Sequence, residues 1–355
     1  MAEQVFRIGV LRDVYMAGRH DFGGNAMRMT IDDADLGDRR IELVTRAVER
    51  GAGTHGNVAA ACDAWDALVH AEQVVGLIGP STTPVALAVL DRVEAAGVPA
   101  IHWAGTDAAC SPWQFQYQAG YLPDEGPALA FLMARRGHRR IACFRSEGAY
   151  GEAYLHPFIR AARAAGIEIG CEIAVPLEAT DIGPYVDAAK AVGADGVVAM
   201  GLFGQGVPLS LAIRDRGWEV SRFGNCGFAL YAANDPAAAA ALAGWVAVDL
   251  FDRANPVTAD LIARYEARFG EPAGAATVCF ARDLATLMIE AVRLAPEASR
   301  AGLRAGLEAI RDLPSAAGGA GTRMGFDAQD RLALKGPRIF VFNEITEQGL
   351  RAVPG

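Results

Sequence analysis

VVGLIGPSTTPVALAVLDRVEAAGVPAIHWAGTD, residues 74–107, is the stretch that decides the fold. Val74–Ile78 is a short apolar run ended by Gly79-Pro80, the pattern of a strand buried on both faces. Ser81-Thr82-Thr83-Pro84 then offers N-cap hydroxyls and a proline suited to a first helical turn. Val85, Val89 and Val93 recur every four residues while Asp91, Arg92 and Glu94 fall elsewhere, so the spacing predicts an amphipathic helix ended by Gly97. Val98–Trp103 is the next strand, and Ala104-Gly105-Thr106-Asp107 is a second small, polar loop. Both loops leave the carboxyl ends of neighbouring parallel strands, the edge at which open α/β sheets take ligands.

Working outward, the same alternation continues on both sides. Upstream, Val5–Arg12 is a strand, a helix runs roughly from His20 to Asp35, Arg40–Thr45 is a strand, and a helix spans about Asn57 to Ala71. The first 107 residues therefore read βαβαβαβ, a parallel doubly wound sheet. A second α/β series starts after Asp124: strand Arg140–Phe144, helix Tyr150–Ala165, strand Glu168–Val175, helix Ile182–Val192, strand Gly196–Met200, helix Gly206–Arg216 and strand Arg222–Cys226. Beyond Ala232 come a helix at Asp235–Ala243, a strand at Gly244–Leu250, helices at Pro256–Phe269, Ala276–Leu294 and Ser299–Ile310, and a terminal strand at Pro337–Glu344. The chain is expected to return to the first lobe and end across the boundary. Residues 1–120 with about 250–330 form lobe 1, and about 121–249 with 331–355 form lobe 2. No Gly/Ser linker separates them, so several short crossings are expected, which implies a hinge.

Composition narrows the function. The chain has 355 residues, 52% hydrophobic and 21% charged, with both signs mixed, which excludes a disordered chain. No apolar run approaches the ~18 residues of a membrane span. A net charge of -9 argues against nucleic acid, and the one dense basic run, Arg135–Arg140, lies at a helix end where cations are at home. The six cysteines are scattered without metal or redox spacing, and the six histidines never pair at ligand spacing. GxxxxGK[ST], HExxH, GxSxG and GxGxxG after the first strand are all missing, so neither an enzyme nor a cofactor is expected. MAEQVFRIGV enters a strand at once. The expectation is a cytoplasmic chain if Met1 is the native start, or an exported one whose signal has been removed.

What recurs is a hydroxyl or aromatic residue in the loops at the carboxyl ends of strands: Tyr15, Thr82, Thr83, Trp103, Thr106, Tyr150, Phe203 and Phe228. Polar anchors with aromatic walls describe a small-molecule site. His102, at a strand end, is either packed and hydrogen-bonded or a ligand contact. Asp13, Asp107 and Glu152 are either solvated loop charges or functional acids, and Arg12 is either a surface ion-pair partner or a contact for an acidic group.

IGPSTTPVALAV, AGVPAIHWAGTD and GAYGEAYLHPFIRAARAAG (148–166) resemble the type I periplasmic binding proteins, in particular the Leu/Ile/Val-binding proteins of ABC importers and their cytoplasmic relative, the amide sensor. The resemblance runs over nearly the whole chain. It implies two Rossmann-like, doubly wound α/β lobes, joined by three short hinge crossings, that close on a ligand like a flytrap. By that resemblance Thr82 or Thr83, and Gly105 with Thr106, grip a carboxylate, while Tyr150 and Phe203 come from the other lobe; Ala104 lies in the same loop as a ligand-binding candidate, and the aromatic residues Trp103, Tyr15 and Phe228 are expected as further walls. The family's amino-acid binders place an acid near the position of Gly227 to neutralise an ammonium, and no Asp or Glu is adjacent there in sequence. The ligand expected is therefore a small organic acid, aromatic in view of the walls, delivered to an ABC permease in the membrane by a monomer or weak dimer. Two alternatives stand beside it: a cytoplasmic amide or amino-acid sensor acting on a regulator, and a standard branched-chain amino acid binder that uses Asp13 for the ammonium.

Overall fold

A computed structural model describes residues 3–13, 21–48, 57–176, 178–201, 205–273 and 276–355. The chain divides into two compact units, 1–119 with 251–339 and 120–250 with 340–355, so it passes from one to the other three times.

The first unit opens with β1 (Gln4–Arg12), α1 (Phe22–Asp32), β2 (Arg39–Ala47), α2 (Val58–Asp66), β3 (Gly76–Ile78), α3 (Thr83–Ala88), α4 (Leu90–Ala96), β4 (Ala100–His102) and β5 (Gln114–Gln116). Its sheet has the order β2-β1-β3-β4-β5 and every pairing in it is parallel. The helix expected from Pro84 to Gly97 is two helices, α3 and α4, meeting at Val89. Hydrogen bonds still run through the join, from Val89 N to Val85 O at 3.0 Å and from Val93 N to Val89 O at 2.9 Å. The valine stripe therefore stays on one side. Val85, Val89 and Val93 pack with Leu77 from β3 and with Trp65 and Leu68 in a single core cluster.

The second unit runs through α5 (Leu122–Arg135), β6 (Arg140–Ser146), α6 (Ala149–Ala164), β7 (Glu168–Val175), α7 (Gly183–Ala191), β8 (Gly196–Met200), α8 (Gly206–Asp215), β9 (Ser221–Gly224), α9 (Cys226–Asn234), α10 (Pro236–Ala241) and β10 (Trp245–Asp249). The chain then returns to the first unit as α11 (Pro256–Phe269), α12 (Ala276–Leu294), α13 (Arg300–Ala309) and the short strands β11 (Leu313–Pro314), β12 (Arg323–Met324) and β13 (Leu334–Lys335). It ends in the second unit with β14 (Val341–Thr346) and β15 (Gly349–Val353).

Successive residues of a strand face opposite sides of a sheet, and the second unit shows both sides filled. Along β6, Ile141 and Cys143 join one core cluster with the α5 and α6 side chains Leu129, Met133, Leu155 and Phe158. Ala142 and Phe144 join the other, with Val186, Leu209 and Ala229 of α7, α8 and α9. β8 alternates the same way, Val198 and Met200 against Val197 and Ala199. This is a sheet wound on both faces.

Three expectations are corrected. The terminal strand starts at Val341, four residues later than Pro337, and turns back as the antiparallel hairpin β14–β15 on the edge of a sheet ordered β15-β14-β10-β9-β8-β6-β7. The last crossing falls between Ile339 and Phe340, where the sequence reading places it near 330. The segment in question is held by the first unit: Gln116 N donates to Arg331 O and Ala333 N to Gln116 O, both at 2.8 Å, and Leu334 N donates to Gln118 Oε1 at 2.7 Å. Finally, the strand expected at Arg222–Cys226 ends at Gly224, and Phe228 lies not in a loop but in the first turn of α9.

α5 and α6 approach closely because Gly126 has no side chain. A Cβ there would lie 2.7 Å from Phe158 N and 2.9 Å from Phe158 Cβ. Backbone cannot yield as a flexible side chain can, so Gly126→Ala should push the helices apart and lower the unfolding free energy by about 1–3 kcal/mol, read from urea denaturation.

Candidate functional site

In the first unit one carboxylate ties the loop after β1 to the loop after β3, and a backbone hydrogen bond adds the loop after β4. Asp13 follows β1 and is 4% exposed. Its Oδ1 accepts from Ser81 N at 2.8 Å and Ser81 Oγ at 2.5 Å, and its Oδ2 accepts from Thr82 N at 3.0 Å and Thr82 Oγ1 at 2.9 Å. The β4 loop is joined to the β3 loop by Trp103 N, which donates to Pro80 O at 3.0 Å. Ala104 is buried, and its carbonyl accepts from Gln116 Nε2 at 2.7 Å.

This arrangement sorts the expected residues. Asp13 already accepts four donors, so it has no face left for an ammonium, and the alternative that assigns it that role is set aside. The Thr82 hydroxyl spends its proton on Asp13. The Thr83 hydroxyl and the N–H groups of Gly105 and Thr106 make no hydrogen bond among the described residues. Thr106 Oγ1 accepts from Ala108 N at 3.2 Å, which leaves its proton to donate. Trp103 is half-buried, edge-on to Phe280 with centroids 6.1 Å apart. Arg12 is a surface ion-pair partner, 2.9 Å from Asp21. Glu152 likewise pairs with Arg145 at 3.3 Å, and Asp107 is exposed. His102 is fully buried in β4, and burial pushes its ring down to about 3, so it is neutral and part of the sheet. Tyr15 and Phe203 lie outside the described residues.

The second unit holds a polar cluster that the sequence reading missed. Glu125, in the first turn of α5, is fully buried. Its Oε2 accepts from the Tyr154 hydroxyl and, at 3.2 Å, from Cys226 N. Tyr150 lies one turn before Tyr154 on α6, its ring edge-on at 5.8 Å. Burial raises the Tyr150, Tyr154 and Cys226 groups above their ordinary values, which keeps all three neutral. Burial also pushes the Glu125 carboxyl up to about 7, against the opposing hydrogen bonds from Tyr154 and Cys226. The residue expected to lack an acid neighbour, Gly227, is thus one residue from a backbone N–H bonded to a carboxylate. The signal was present: Glu125 stands on the buried face of α5 with Leu129 and Met133, a charge in an apolar stripe. Phe228 is corrected from wall to core. It is 2% exposed, with its ring 4.7 Å from Trp245 and in one cluster with Ala229 and Leu209. Gly227 is buried in the same helical turn.

Among the described residues no group of three His, Cys, Asp or Glu side chains is placed to hold a metal, and no helix is long and apolar enough to cross a membrane.

Two α/β units linked by three chain passages, with donor-rich loops at the strand ends, define a binding protein of the periplasmic type I class. The chain belongs to the periplasmic binding protein family, whose signature matches residues 7–339. No curated protein matches the chain. Solved structures do. An ABC transporter substrate-binding protein from Sphaerobacter thermophilus is 19% identical with a TM-score of 0.82, over 99% of this chain and 97% of its own. One from Desulfitobacterium hafniense, in complex with Leu, is 17% identical with a TM-score of 0.80, over 99% of this chain and 100% of its own. A solute binding protein of an ABC transporter from Rhodopseudomonas palustris BisB5, in complex with 3,4-dihydroxy benzoic acid, is 21% identical with a TM-score of 0.77, over 96% and 93%. At these identities the likeness is one of fold.

Two outcomes are expected from the carboxyls. Asp13→Ala strands the Ser81 and Thr82 donors and should cost about 2–4 kcal/mol in urea unfolding. For Glu125, the folded chain holds its proton up to about 7, while the unfolded chain releases it near 4.5. The stability it contributes is complete below that lower value and is lost as pH rises through the upper one. Urea midpoints of Glu125→Gln should gain on those of the parent protein across this window, and parallel curves would assign the pH dependence elsewhere.

Proposed function

We propose that the protein captures a small organic acid, with an aromatic carboxylate as the preferred class, and delivers it to an ABC permease without chemical change. The observation that supports this is the donor set of the first unit. Thr83, Gly105 and Thr106 bring hydroxyl and N–H protons to one sheet edge, and the carboxylate beside them, Asp13, is already saturated. Such donors suit an anion, and each charge-assisted bond is stronger than a neutral one. Residues of the second unit, Tyr150 among them, complete the capture by flytrap closure.

A second reading is an ordinary branched-chain amino acid. It is favoured by Glu125, which places a carboxyl beside α9 even though none is adjacent in sequence, and by the leucine complex of a protein with the same fold.

Calorimetry with benzoate and leucine separates the two. The expected result is stoichiometric binding of benzoate, without turnover, at least about tenfold tighter than leucine, equivalent to about 1.4 kcal/mol. Thr106→Ala should weaken the acid by about 1.5–3 kcal/mol through a lost charge-assisted bond. Tighter binding of leucine than of any simple acid would establish the second reading instead.

A further inference from the structure

The second unit contains buried polar atoms that are without a hydrogen-bond partner among the described residues. Glu125 is fully buried, Asn225 1% exposed and Ser146 3% exposed. Glu125 Oε1, the Asn225 amide nitrogen and oxygen, and Ser146 Oγ make no hydrogen bond among the described residues. Each such group carries a desolvation cost when left without a partner, and four such atoms in one region are an unusual concentration.

They belong to one neighbourhood. Asn225 follows the carboxyl end of β9 and directly precedes Cys226, whose N–H holds Glu125 Oε2 at 3.2 Å. Tyr154 donates to the same carboxyl and stands 4.0 Å from Cys226 Sγ. Tyr150 packs on Tyr154. Ser146 ends β6, and a Cβ built on Gly201, just past β8, would lie 3.4 Å from both Ser146 Oγ and the Tyr150 ring. The carboxyl ends of β6, β8 and β9 are where an open α/β sheet receives a ligand.

The chemistry of the free atoms selects among ligand groups. Asn225 Nδ2 and the Ser146 hydroxyl have protons to give. Glu125 Oε1 and Asn225 Oδ1 have lone pairs to receive them. An ammonium only donates and would leave the Asn225 and Ser146 protons unmatched. A carboxylate only accepts and would meet Asn225 Oδ1 lone pair to lone pair, and Glu125 Oε1 as well once that carboxyl ionises. A hydroxyl does both, donating to one oxygen while accepting from the amide or the serine.

We propose that Glu125, Asn225 and Ser146 form a subsite in the second unit that binds a hydroxyl group of the ligand, so that the protein is specific for a hydroxylated organic acid. The inference rests on the acid reading given under Proposed function and adds the second recognised group. Tyr154 and Cys226 are positioning residues in it, since they fix the orientation of the Glu125 carboxyl.

Calorimetry with benzoate, 4-hydroxybenzoate and 3,4-dihydroxybenzoate tests it on the intact protein. A hydroxylated acid should bind at least about tenfold more tightly than benzoate, as one well-made buried hydrogen bond provides. Asn225→Ala and Glu125→Gln should shrink that ratio to about threefold or less while benzoate itself binds as before. Ser146→Ala, which removes a single hydroxyl, serves the same purpose if either of the others fails to fold. Equal binding of all three acids by the parent protein overturns the subsite and leaves the acid reading standing. So does a hydroxyl preference that the variants leave intact, or a loss shared equally by benzoate. Binding of none of the three, with leucine bound instead, overturns both.

Discussion

The loops at the carboxyl ends of the first unit's strands depend on a buried carboxylate with four donors around it. Asp13 stands at the end of β1, and Ser81 and Thr82 open the turn after β3. A carboxylate so far from water is stable only when its lone pairs are filled, and here two backbone N–H groups and two hydroxyls fill them. The turn is thereby locked to the neighbouring strand. Thr83 begins α3 from that fixed point, and the β4 loop is attached to the same turn through Pro80. Sequence alone offers Asp13 as a partner for a ligand's positive charge. In the fold it serves the protein's own backbone.

The second unit treats its acid differently. Glu125 has one oxygen occupied and one free, and its burial works against ionisation. The two carboxyls illustrate a general contrast: a saturated buried acid fixes geometry, and a half-saturated one keeps capacity for something else. Gly126, next to Glu125, permits the close helix approach that brings α6, and with it Tyr154, within reach.

Much of the architecture was legible from residues alone because strands and helices alternate with clean punctuation, as in the valine stripe of 85, 89 and 93 ended by Gly97. What was not legible has physical reasons. α9, CGFALYAAN, is apolar on nearly every side and shows no helical period, so its start looked like a loop and Phe228 like a wall. β14 and β15 pair locally by a hairpin whose turn carries no Pro or Asn-Gly signal. Thr83 and Thr106 sit in short loops next to the strands that place them, so their positions in the fold could be read. The Glu125 cluster joins residues more than a hundred positions apart, Glu125 with Cys226, and no local pattern announces it. Only the charge in the apolar face of α5 hinted that a partner existed.

The closing hairpin has a consequence for how the chain is made. β14 adds to β10, so the sheet of the second unit gains its final two strands from residues 341–353, after the first unit has been revisited through 251–339. Each unit waits for a segment that the other precedes. During synthesis from the amino end, β6 to β10 emerge with one sheet edge still open, and unpaired edges invite wrong pairing. Completion of each unit thus waits for residues 251–353, which are made after β6 to β10 have emerged.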